Sequence, residues 1–329
     1  MKSALPPAFT NPAKPAIALP PSPSLPASDC GEALSGNGNE QDRHQHPTIL
    51  SGDLKGNDNQ NIHRSEPTRA DNTIHLLTLL PGDTPTLIEG LTLISANADT
   101  TDVNDPKLNG TGAGILMKEA HLTLRQCRFQ SLTANSAASL WDSGHSKIHI
   151  DHCEFIANLS HRGGTVMIGS GSRFEIQYTL FLKNQTTDSP TGYQWGGGLY
   201  LGLGSIGNVY RSVFATNFAW ESGGGIYSEG DTRVIRCTFY RNRSSLGQAV
   251  FSSEKGFLKL WDCLFADADS IPNEITSLRA HKDWGSHKLK DVKQLSDLND
   301  IIGADKIFNT FDDGLRFRKP KALPSVGAY

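Results

Sequence analysis

Residues 145–152 crowd together side chains able to hold a metal or move a proton: His145, His149, Asp151 and His152. Imidazole and carboxylate are zinc ligands and general acids or bases. Their placement weakens both ideas. His149 takes an outward position in the alternating run Lys147-Ile148-His149-Ile150, while Asp151 and His152 fall on the bend that follows. They read as solvated surface polars, and no metal or other cofactor is expected. A second set is better suited to binding. Tyr193, Trp195, Tyr200, Trp220 and Tyr227 lie within 35 residues, interleaved with glycine runs, and Arg211 and Arg236 recur one repeat apart. Exposed aromatic rings stack on sugars or peptides, and a guanidinium meets a carboxylate. The ligand-binding expectation rests on these seven residues, and no catalytic residue is assigned.

A repeat must position them. Phe129, Phe155, Phe181, Phe214, Phe239 and Phe265 are spaced by 26, 26, 33, 25 and 26 residues. Two positions before each stands a small residue (Cys127, Cys153, Thr179, Ser212, Cys237, Cys263), and five before, an aliphatic one. Asn158, Asn184, Asn217 and Asn242 follow four of the Phe residues by three positions. Ile115, Leu140, Val166, Leu199, Ile226 and Val250 precede them, several behind glycines such as Gly196-Gly197-Gly198 and Gly223-Gly224-Gly225. Each unit holds two or three runs of three to five alternating residues bounded by Gly, Asn and Ser, the pattern of strands. No 3.6-residue stripe supports a helical repeat, and the Leu ladder of leucine-rich repeats is missing.

What remains is a coil of parallel strands, one turn per repeat, with like residues stacked about 4.8 Å apart. Phe and the aliphatics then form a dry core. The Asn column is expected to take left-handed turn conformations and to bond along the stack. The glycines serve corners, and the extra residues of the 33-residue unit form one loop, Gln185 to Trp195. The cysteines read as small buried hydrophobes rather than a redox or metal set. The sequons at Asn109, Asn158, Asn184 and Asn242 read as by-products of the repeat.

The F-x-x-N units (Phe155 to Asn158, Phe181 to Asn184, Phe214 to Asn217, Phe239 to Asn242) and the glycine runs resemble the repeats of polymorphic outer-membrane proteins. They also resemble other right-handed parallel β-helix proteins of the pectate-lyase-like superfamily. Thr48 to Asp58, with Arg69-Ala70-Asp71-Asn72, is similar to the opening segment of choice-of-anchor Q domain proteins, and Pro324 to Tyr329 to their closing signature. The resemblance implies an all-β, single-stranded right-handed parallel β-helix of about 26 residues per turn. It also implies an extracellular or cell-surface location. No apolar run of leader length follows Met1.

Enzymes of that superfamily cleave polysaccharides on the outside of the coil. Such chemistry needs acids clustered on neighbouring turns, to hold Ca²⁺ for a lyase or to act as a pair in a hydrolase. Asp142, Asp151, Glu154, Glu175 and Glu221 fall in different columns instead. The expected function is a non-catalytic β-helix presenting a repetitive face to polysaccharide or a surface protein. The alternative is a polysaccharide lyase or glycoside hydrolase working in an outer groove. A net charge of −3, from 31 Lys and Arg against 34 Asp and Glu, argues against a nucleic-acid partner. No run reaches the roughly 20 apolar residues of a membrane span. The expected organisation is a Pro-rich disordered arm over 1–46, the β-helix over 47–270, and a cap over 271–329 closing the coil's open end. A short helix is predicted over 291–298, ended by Gly303. The second apolar column (Leu116, Trp141, Met167, Tyr200, Tyr227, Phe251) alternates outward. Either this column forms a binding face or residues 47–110 or the cap cover it, and exposure of Tyr200 and Tyr227 decides between the two.

Overall fold

Alternating runs of three to five residues become strands that are too short to be stable singly, and each finds its partners one turn before and after. A computed structural model describes residues 47–63, 66–99, 110–187 and 194–265, and the backbone of 282–284 and 287–288. The chain divides into residues 1–45 and 46–329, and every strand belongs to the second unit. The arm, Tyr193, Asn109 and the helix expected over 291–298 lie outside the described residues.

One turn comprises Leu140–Asp142, Lys147–Asp151, Glu154–Ile156 and Leu159–Arg162. The strands stack into four sheets, all parallel. The Phe sheet runs in nine strands from Thr48–Ser51 to His287–Lys288. The Tyr sheet has seven strands, from Leu77–Leu79 to Val250–Ser252, and carries Tyr200 and Tyr227. The long sheet has eight, mostly of five residues, from Gly82–Glu89 to Lys282–Trp284. The short sheet has five, from Asn97–Ala98 to Phe218–Ala219. The register keeps the repeat columns intact, so that Phe129, Phe155, Phe181, Phe214, Phe239 and Phe265 are successive partners. The short sheet was not expected, because two to four residues such as Gln185–Thr186 carry no apolar alternation. Strand pairing also passes residue 270 and reaches Lys288. The loop expected over 185–195 is shorter: Gln185–Thr186 is a strand, and Trp195 bridges to Ser222.

Inside, the six Phe rings stack at 4.6–5.2 Å between centroids, 3–15° from parallel. Burial of each is worth about 1.5–3 kcal/mol. Cys127, Cys153, Cys237 and Cys263 are buried beside them, each thiol donating to a backbone carbonyl. Burial pushes the Cys153 and Cys237 thiols up from their ordinary range.

Three columns of left-handed residues turn the corners. The one before the Phe sheet runs through Gln126, His152, Tyr178, Arg211, Arg236 and Asp262 at φ +44° to +54°. The one after it is not the Asn column, as expected, but the residue before each Asn: Ala157, Lys183, Thr216 and Arg241, at φ +47° to +54°. The Asn side chains point inward, fully buried, and form a ladder. Asn184 Nδ2 donates to Asn217 Oδ1 (3.0 Å) and Phe155 O (2.8 Å), while its Oδ1 accepts from Asn158 N and Nδ2 (3.1 and 3.0 Å). Asn158, Asn217 and Asn242 join the same chain. Their burial closes the sequons at Asn158, Asn184 and Asn242 to glycosylation. The third corner uses glycine, as at Gly223 (φ +68°), where a side chain is strained. At neighbouring Gly224 an added Cβ would collide with Gln248 O and Arg243 O of the next turn.

At the start of the coil, Arg69 is 2% exposed. Its guanidinium donates to Asp58 Oδ2 (3.1 Å), Ala96 O (3.2 Å) and Ser131 O (2.8 Å), and Asn72 Nδ2 to Ser95 O (2.6 Å). The opening segment thus latches onto the carbonyls that the first corners leave open. Among the described residues no helix is long and apolar enough to cross a membrane.

Candidate functional site

The sequence places Tyr200, Tyr227 and Phe251 one behind another on outward positions of the Tyr sheet, in register. Outward does not mean open here. Parallel, in-register strands set the rings face to face along the coil axis, and Trp195 folds back onto them from the preceding corner. Tyr200 and Tyr227 centroids are 5.5 Å apart, Tyr227 and Phe251 5.4 Å, Trp195 and Tyr227 4.7 Å, all within 14° of parallel. Tyr200 is 9% exposed and Tyr227 5%. The ring faces that would carry a sugar are occupied by one another, which corrects the expectation of an open aromatic ladder.

The phenols are held neutral. Burial, then the charge and hydrogen bond of Glu229, push Tyr200 well above the usual phenol range, its Oη donating to Glu229 Oε2 at 2.8 Å. Burial and the same carboxylate raise Tyr227 to about 12. Glu221 and Glu229 both act on Tyr227, a pairing that column reading missed because Glu229 lies in the turn after the strand. Trp220 stands apart, 61% exposed, at the corner between the short and Tyr sheets, edge-on to Phe218. Its carbonyl accepts from Ser245 Oγ.

The two arginines form no open ladder. Arg211 is buried against Tyr210 and Tyr178, with its guanidinium 5.1 and 5.9 Å from their ring centroids. Arg236 donates from Nε to Asp262 Oδ2 at 3.1 Å. The His and Asp set near 150 is likewise engaged. His152 Nδ1 meets Asp151 Oδ1 at 2.7 Å, its ring stacks on Tyr178, and His149 faces Glu175 at 3.9 Å. Burial alone would raise the Asp151 carboxyl, but the hydrogen bond and charge of His152 hold it below the usual range. Among the described residues no three His, Cys, Asp or Glu side chains converge as a metal site. Asp142, fully buried, accepts from Gly144 N, Gly169 N and the hydroxyls of Ser146 and Ser172, so it is a corner brace. His161 is another: Nδ1 bonds Thr187 O (2.8 Å) and Nε2 bonds Asp99 Oδ2 (2.9 Å).

A surface that sequence reading did not single out lies on the outer side of the long sheet. Arg233 pairs with Lys259 and Ile235 with Trp261 in register, and the four line a cavity of about 280 Å³. Trp261 is 53% exposed. The Lys259 ammonium lies 4.5 Å over the Phe257 ring. The backbone register continues the two columns to Lys282 and Trp284. Cations in one column and an indole in the next make a strip suited to a flat, anionic ligand.

Comparison with known proteins adds one match. A family model described as a right-handed β-helix region fits residues 91–264, more than half of the chain. No curated protein and no solved structure matches.

Proposed function

The chain belongs to the right-handed β-helix family, and from that premise we propose that it is a cell-surface or secreted protein whose coil displays a binding face for an acidic polysaccharide. The observation that carries this reading is the strip of Arg233, Lys259, Ile235 and Trp261 around its cavity. A sugar ring has an apolar face that lies on an indole and a uronate carboxylate that accepts from Lys and Arg. The strip follows the coil axis, so successive saccharide units meet successive strands. Export rests on the likeness of the opening and closing segments to those of choice-of-anchor Q domain proteins, and fractionation of the producing cells tests it.

The test of binding is calorimetric titration with uronate-containing and neutral polysaccharides. Binding to the acidic polymer is expected, with Trp261→Ala weakening it about tenfold, the equivalent of about 1.4 kcal/mol. Equal affinity for the neutral polymers, or no loss in Trp261→Ala, would remove the proposal. Trp220→Ala serves as the contrast, since that exposed ring lies at a different corner. One observation favours the enzymic alternative: Glu229 accepts from the Tyr200 phenol, and its charge and that of Glu221 both raise Tyr227. Release of unsaturated or reducing sugar in the same titrations, abolished by Glu229→Gln, would establish it instead.

A further inference from the structure

The outer side of the long sheet holds a second pair of cations. Lys147 and Arg173 are partners in register, and both are exposed. Like charges set directly opposite on neighbouring strands repel, and an anion laid over them relieves the repulsion. The same holds for Arg233 and Lys259 further along the coil. Among the described residues no ion pair engages any of these four. Arg125 on the same face is by contrast held by Glu89 and Asp151, at 3.7 and 3.9 Å.

The two pairs do not share a column. Register aligns Lys147, Arg173, Ile206 and Asp231 in one outward column, and His149, Glu175, Asn208, Arg233 and Lys259 in the next. The acids take the opposite places. Glu175 stands in the second column on the strand of Arg173, and Asp231 in the first on the strand of Arg233. A carboxylate chain following either column straight along the axis would meet one of these acids. A chain that changes column on the strand between them avoids both and meets all four cations. That strand offers Asn208 and the apolar Ile206, which is 53% exposed.

Resting on the reading of this face as a polysaccharide surface, we propose that the site extends to Lys147 and Arg173. A uronate chain crosses the long sheet obliquely, from Lys147 to Lys259, over Ile206. Four strand spacings separate its ends, roughly 19 Å, with a sideways step of two residues, roughly 7 Å. At one saccharide per strand, a chain of about five units is the shortest that reaches both cation pairs. Its carboxylates accept from Lys147 and Arg173 at one end and from Arg233 and Lys259 at the other. The apolar faces of its rings lie on Ile206 and Trp261. Glu175 and Asp231 fix the slant by repelling a chain that strays.

The test is calorimetric titration of the full-length chain with uronate trimers and hexamers, and with neutral oligomers of the same lengths. The uronate hexamer is expected to bind more tightly than the trimer. Lys147→Ala with Arg173→Ala should weaken the hexamer about fivefold and leave the trimer unchanged. The trimer is short enough to stay beside Trp261, so Trp261→Ala should weaken both. Both altered cations are exposed, so the core is untouched. An unchanged hexamer affinity in the double variant overturns the inference, as does an equal loss for trimer and hexamer. Weaker binding of the neutral hexamer overturns it too, because charge would not be what those residues read. In each of these cases a loss in Trp261→Ala keeps the binding face itself. Failure of every oligomer to bind removes that reading, and the extended site with it.

Discussion

The amide of Asn184 has two donors and two acceptor positions, and all four are used inside the coil. Truncation in Asn184→Ala leaves two donors of Asn158 and the Phe155 carbonyl without partners in a dry interior. A loss of about 3 kcal/mol is expected in urea unfolding; a loss below about 1 kcal/mol would mean that the ladder is ornamental. The Asn column was legible in the sequence by its period, but its role was half misread. Residue-type preference pointed to Asn for the left-handed angle, yet Ala157, Lys183, Thr216 and Arg241 carry it so that each Asn can turn inward. The aromatic column was legible only as a choice between an open face and a covered one, and burial of Tyr200 and Tyr227 decides for the second. Alternation gives a side chain's direction, whereas exposure depends on what the next turn stacks over it. Tyr227, with its pKa raised to about 12, binds its proton more tightly folded than unfolded. Its contribution to stability is therefore complete below pH 10 and lost as pH climbs from there toward 12. Absorbance at 295 nm should show Tyr200 and Tyr227 still protonated at pH 11, after exposed tyrosines have ionised; titration of all seven tyrosines near pH 10 would contradict the stacked, buried arrangement.

At the scale of elements, the coil was readable wherever a strand carried a strong inward residue, and invisible where it did not. The short sheet depends on its neighbours: Leu159, Gln185 and Phe218 are partners through backbone, and their side-chain types share nothing a pattern could find. The opening segment was recognised only by likeness. Its geometry shows why Arg69 and Asn72 stand together, since both reach carbonyls that left-handed corners turn out of the ladders. Removing the charge in Arg69→Met strands Asp58 in a nearly buried site (8% exposed side chain), and a cost of about 3–5 kcal/mol follows. Hydrogen exchange should locate that loss in residues 77–98, the strands of the first turn, with the turns beyond Phe155 unchanged; uniform acceleration along the coil would count against a local latch.

At the scale of the molecule, a chain of net charge −3 still sets two cations side by side, because register places Arg233 beside Lys259 on one strip. Net charge alone excluded a broad polyanion-binding surface and was silent on a local one. Trp261, Lys259 and Arg233 share no motif, and only strand register brings them around one cavity. The expected binding to an acidic polysaccharide should accordingly weaken with salt, as ion pairs at an exposed surface do. Indifference to salt between low and physiological ionic strength would shift the weight from the cations to the indole.

The asparagine ladder gives the coil a direction of growth. Asn158 donates forward, from backbone and side chain alike, to an oxygen that arrives only with Asn184, and Asn184 waits likewise for Asn217. A chain emerging N-terminus first therefore always ends in one turn whose donors are still open, and each new turn that docks satisfies its predecessor while exposing its own need. The ladder is thus polar along the axis, and a turn without its successor carries open amide donors of the kind that the next asparagine oxygen fills.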